Sequence, residues 1–209
     1  MISALRILIE PQAVWTRLAR ARPGLLRTAL GLLVPLLMLT AALEGWSLMR
    51  WGHPRGTEET HIYKFTLAQA VGFELIQVAL AVVIIGLASV LVRSFARSIQ
   101  GRQTFSEAFT LVTYGLSPLL LAQTLDAFPV IHPWVAWGVG IVLVGRALYD
   151  GVPQVLLPDP PNAFGLYLMT LLLLATTTGL ARFFTTLYLD GELPRLEQTV
   201  TELIARVLP

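Results

Sequence analysis

Three ionisable residues stand inside stretches that are otherwise apolar enough to cross a bilayer: Glu44, Glu74 and Arg182. A charge in hydrocarbon is costly unless it is paired or lines a hydrated path, so each is a functional candidate by default. Counted inward from the ends of their stretches, all three fall at similar depth in the same half of the bilayer. A Glu74–Arg182 or Glu44–Arg182 pair would cancel charge that hydrocarbon cannot solvate. The favoured expectation is an ion pair that simply locks three helices together. A proton or substrate site is the sharper alternative, and snorkelling to the surface is a third.

Other chemistries find less support. His53, His61 and His132 lie in loops on one side with Glu58, Glu59 and Asp126, and imidazole plus carboxylate is a legitimate zinc or copper donor set. The His53–His61 spacing fits no helix face, however, and no H-E-x-x-H occurs, so no metal is expected. Ser117, in Tyr114-Gly115-Leu116-Ser117-Pro118, lacks the second glycine of a nucleophile elbow and an obvious histidine partner. Tyr149-Asp150 is similar to one half of an intramembrane aspartyl protease, but the second, Gly-x-Gly-Asp half is missing. There is no P-loop and no dinucleotide fingerprint. The expectation is a non-enzyme without a cofactor.

The elements that must hold these residues follow from composition. Of 209 residues, 55% are hydrophobic and 13% charged, about half the charge usual in a soluble domain. The mean hydropathy is +0.69. So little charge cannot cover that much apolar surface in water, which excludes a disordered chain and argues for an all-α, polytopic transmembrane bundle. With no cysteine, disulfides, cysteine-ligated metals and thiol nucleophiles are excluded. Fourteen of the fifteen cations are Arg, without a basic block, so no nucleic acid is expected as a partner.

A hydrocarbon core of about 30 Å takes roughly 20 apolar residues per helix. Five stretches qualify: Gly24 to Met49, Phe65 to Val92, Ala108 to Leu125, Trp134 to Leu148 and Ala163 to Tyr188. The third and fourth are the shortest and could form a re-entrant pair around Asp126, Pro129 and Pro133. Residues 1–23 contain no cleavable signal pattern, so the first stretch is expected to remain as an anchor. With five spans, Arg6, Arg17, Arg20, Arg22, Arg27, Arg93, Arg97, Arg102 and Arg146 share the N-terminal side. Arg50, Arg55, Lys64, Arg182, Arg195 and Arg206 share the other, so the N-terminus is expected in the cytoplasm and the C-terminus outside.

Two flanking segments read as amphipathic and interfacial. Pro11 suits a first helical turn, after which Val14, Trp15 and Leu18 share a face, and Trp15, Arg17 and Arg20 are expected to anchor the helix among anionic headgroups. Pro194 to Leu208 forms a second such helix, with Leu196, Val200, Leu203, Ile204 and Val207 on one stripe. The organisation is thus a cytoplasmic segment 1–23, a five-span domain 24–188 and an external helix 189–209. Inside the spans, Pro35 and Pro118 are expected to kink their helices. Ala136 with Gly140, and Ala175 with Gly179 beside Thr176, Thr177 and Thr178, are small-x-x-x-small pairs suited to close helix packing.

The order of certain short motifs resembles the bacterial Yip-domain family. Ile7-Leu8-Ile9-Glu10-Pro11, then Trp15 and a basic stretch, resembles the family's opening segment. Gly101 to Phe109 is similar to its cytoplasmic linker, Thr113-Tyr114-Gly115-Leu116-Ser117-Pro118 to its Tyr-small-x-x-Pro element, and Leu148-Tyr149-Asp150-Gly151-Val152 to the close of its fourth span. The likeness covers roughly residues 7–188. It implies five spans, a cytoplasmic N-terminus and a non-enzymatic protein of the bacterial inner membrane. Eukaryotic relatives are associated with Rab GTPases, but a tail of about 23 residues is too short for their long cytoplasmic region, so Rab binding is not expected. The leading expectation is a scaffold or accessory subunit of a larger membrane complex, whose partners are membrane lipids and other integral membrane subunits. The rival is a small transporter or channel using Glu44, Glu74 and Arg182.

Overall fold

In a computed structural model of the chain, the described residues are 2–55, 61–100, 103–128 and 130–192. Two short helices, α1 (Ile2–Ile9) and α2 (Pro11–Ala21), precede five long ones. Glu10 leaves the helical conformation and Pro11 restarts it, since a missing N–H costs nothing in a first turn. Arg22 closes α2 in the left-handed conformation, with its N–H bonded to Leu18 O.

The five long helices are Leu25–Arg50, Leu67–Ser98, Phe105–Ala127, Pro133–Val155 and Pro160–Leu189, and each is long and apolar enough to span a membrane. The third and fourth, suspected of being re-entrant, are full helices of 23 residues each. At about 1.5 Å per residue each exceeds the roughly 30 Å of a hydrocarbon core. The sequence undersized them because the third helix is the most enclosed. Protein covers 72% of its most apolar window, against 22% for the second span and 17% for the fifth. A helix shielded from lipid does not need to be as apolar as one bathed in it.

That third span is the axis of the bundle. It packs on the first, second and fourth, and most extensively on the fourth, while the fifth closes the ring against the fourth and second. Thr104 opens it with a reciprocal cap, accepting the Glu107 N–H while Glu107 accepts the Thr104 N–H. At the far end, His53–Arg55 and His61–Tyr63 form a two-stranded antiparallel ribbon between the first and second spans. Gly52 before it has φ +78° and lies so close to Tyr63 O that a Cβ would stand 2.6 Å away.

Both expected proline sites are accommodated without breaking a span. Ahead of Pro35 the helix widens into a π turn over Ala29–Leu33, where Val34 N–H bonds Ala29 O five residues back. Pro118 deprives Tyr114 O of its helical donor, and the Ser117 hydroxyl supplies a replacement at 2.7 Å. Of the small-residue pairs, Ala136 is fully buried and Gly140 lets the fourth span meet the third: an added Cβ would lie 2.5 Å from Leu119 Cδ1 and 3.0 Å from its Cα. Gly179 carries the Trp137 ring, whose indole N–H donates to Thr178 Oγ1 at 3.3 Å, and Ala175 is partly covered. The expected helix from Pro194 to Leu208 lies outside the described residues.

Candidate functional site

The charged residues singled out in the sequence do meet, but not in the expected pairs. Arg182, 6% exposed, contacts Asp126 rather than either glutamate, with Nη2 2.6 Å from Oδ2. Asp126 had been placed in a loop. The one-turn 3₁₀ extension Thr124–Ala127 carries it back under the helix ends instead, where its side chain is only 5% exposed. Beyond this ion pair, Asp126 Oδ1 and Arg182 Nε are buried without a hydrogen-bond partner among the described residues. Glu44 is held by Gln77, whose amide donates to its Oε1 at 3.0 Å.

No cation contacts Glu74 among the described residues. Its carboxyl lies against Gly45 of the first span, where a Cβ would come within 3.3 Å of its Cγ. Its Oε1 is buried and unpartnered among the described residues. Three carboxyl groups therefore share one guanidinium. Leaving a carboxylate unpaired out of water costs several kcal/mol, a cost that protonation, water or a ligand must offset.

The groups surround a cavity of about 80 Å³ between the first, second, third and fifth spans, whose polar lining is Thr40, Glu44, Glu74, Gln77, Thr178 and Arg182 among others. That is room for a few waters, or for a solute smaller than benzene. A wider vestibule of about 520 Å³ lies on the ribbon side and includes Ser47, His53, Asp126, His132 and Asp190. Glu44 and Arg182 line both spaces and stand between them. Ser47 fixes this junction by donating to Ala127 O at 2.9 Å.

No three metal-donor side chains converge among the described residues. His53 contacts Asp190 at 3.1 Å, and His132 accepts the Trp134 N–H at the start of the fourth span. Glu58 and Glu59 lie outside the described residues.

At the opposite end the expected headgroup anchor proves to be a packing residue. Trp15 is fully buried, and its indole N–H donates to Ala147 O at 2.8 Å. Its ring lies on Gly151, where a Cβ would approach to 2.6 Å, and meets Tyr114 edge-on at 6.3 Å. The apolar face of α2 is thus turned to the bundle because the third and fourth spans leave a groove fitted to it, while Arg17 and Arg20 stay exposed. Gln12 donates to Asp150 and Thr16 to Gln154, along the same seam.

The profile of one protein family, the Yip1 domain, matches residues 5–181. Neither curated proteins nor solved structures yielded a match.

Proposed function

The chain belongs to the Yip1 domain family of membrane proteins, which is not a known enzyme family, and from that premise we propose that it handles a small polar solute as a transporter or channel. The cavity between the first, second, third and fifth spans is the working site, entered through the vestibule. One observation carries this reading: Glu74 lines the cavity with a carboxyl group that no cation contacts and whose Oε1 is buried without a partner among the described residues. The excess of cations on the N-terminal side supports a cytoplasmic N-terminus, which puts the vestibule on the outer face of the inner membrane.

The natural absence of cysteine makes the test direct. Single cysteines replacing Thr178 or Thr185, which line the cavity, and Leu172, which is 64% exposed on the apolar exterior, are treated in sealed vesicles with silver ion, a charged thiol reagent small enough for a space of about 80 Å³. The two cavity positions are expected to react from one side only and Leu172→Cys not at all. Unreactive cavity cysteines sink the proposal.

A second reading, a scaffold or accessory subunit, is supported by the apolar faces of the second and fifth spans, which the bundle itself leaves mostly uncovered. Extraction in a mild detergent tests it, since a stoichiometric set of larger subunits would move this reading ahead.

A further inference from the structure

Three carboxyl groups meet one guanidinium at the cavity, and the way they are shared out identifies the solute. Arg182 and Asp126 are in contact and cancel one another. What remains is two acidic groups on adjacent helices, Glu44 on the first span and Glu74 on the second, with no cation in contact with either among the described residues. Glu44 at least accepts a hydrogen bond from Gln77. Glu74 is 9% exposed, lies against the Gly45 backbone and lines the cavity, its Oε1 buried without a partner among the described residues.

The geometry points to a binding site for a small monovalent cation between Glu44 and Glu74. This rests on the solute-handling reading above and names the class of solute. Oxygen donors dominate the polar lining, with the Thr40 hydroxyl and the Gln77 amide beside the two carboxyl groups. Hard cations take such ligands, filling the remaining positions with water. A space of about 80 Å³ accepts an alkali ion with a few waters, or a methylammonium ion, and excludes a bulky quaternary amine. A divalent or transition metal fits less well, because no set of three metal-donor side chains converges there among the described residues. Arg182, held by Asp126 at the mouth, does not compete for the inner carboxyl groups as a contact partner.

Purified protein in detergent is heated in sodium, potassium, lithium or methylammonium chloride, with choline chloride keeping ionic strength constant. A ligand that binds only the folded state raises the unfolding midpoint with saturation. At least one small cation is expected to raise it by about 2–4 °C or more over choline, and Glu74→Gln should abolish that rise. Midpoints equal to choline in the wild type overturn the inference whatever the variant does. A rise that persists undiminished in both Glu74→Gln and Glu44→Gln overturns it too, since the cation then binds elsewhere. The cysteine experiment separates the two failures. Reactive cavity cysteines with no cation response leave the solute reading standing and remove only the cation, whereas unreactive ones remove both.

Discussion

At the N-terminal end of the bundle, Trp15 fills the groove over Gly151 and bonds Ala147 O, Leu148 sits on Gly115, and Gln103 donates to Leu156 O. At the ribbon end, outside the Arg182–Asp126 ion pair, Glu74 Oε1, Asp126 Oδ1 and Arg182 Nε are buried with no hydrogen-bond partner among the described residues. The first end also has buried atoms without a partner among the described residues, Arg93 Nε and Thr113 Oγ1, but they are scattered rather than gathered about one cavity. Side chains seat on glycines at both ends, and at the ribbon end buried acidic groups also gather about a cavity. Close packing requires only that volumes fit, whereas unpaired buried charge must be compensated by water or a ligand. That difference is what the proposed solute site rests on.

The most damaging change should fall on the packed end. Trp15→Ala removes a fully buried ring and its hydrogen bond, and is expected to lower stability in detergent by about 3–5 kcal/mol, read as the thermal midpoint. A loss under about 1 kcal/mol would place Trp15 in lipid after all. Next comes the pair at the mouth of the cavity. Arg182→Met strands Asp126 and should cost about 3–5 kcal/mol, whereas the double change Arg182→Met with Asp126→Leu should recover most of that loss. An additive double mutant would show that the contact contributes no coupling.

Gly140→Ala is a smaller insult, since a methyl group must push Leu119 aside, and about 1–3 kcal/mol is expected. An unchanged midpoint would mean that the third and fourth spans can separate freely. Glu74→Gln is the smallest and carries the opposite sign. It removes an unpaired acid while keeping the shape, so the midpoint in choline should equal or exceed that of the wild type. A marked drop would mean that Glu74 has a cation partner and belongs with the structural pairs.

Much of this was legible in the chain. The five apolar stretches, the proline that opens α2, and the gathering of Glu44, Glu74 and Arg182 at one depth are consequences of spacing along helices. The identity of the partners was not. Asp126 looked like a loop residue because sequence hydropathy ends the third span at Leu125, and one further 3₁₀ turn folds its carboxyl under Arg182. Trp15 looked like a lipid anchor because an amphipathic, basic, Trp-bearing face suits a headgroup layer and a protein groove equally well. The signal that might have separated them is Gly151, a residue small enough to receive a ring, but nothing local connects it to a tryptophan 136 positions earlier.

By itself the sequence determined the class of protein and the number of its long apolar helices, because both depend on composition and on periodicity over some 20 neighbouring residues. Tertiary structure decided which helix lies at the centre, which face of α2 is covered, and which carboxyl group meets the one guanidinium. These are contacts between residues far apart in the chain, fixed by how five helices share space. A central helix may be less apolar than its neighbours, and a buried acid may lack a partner, only because of what the other four place around it.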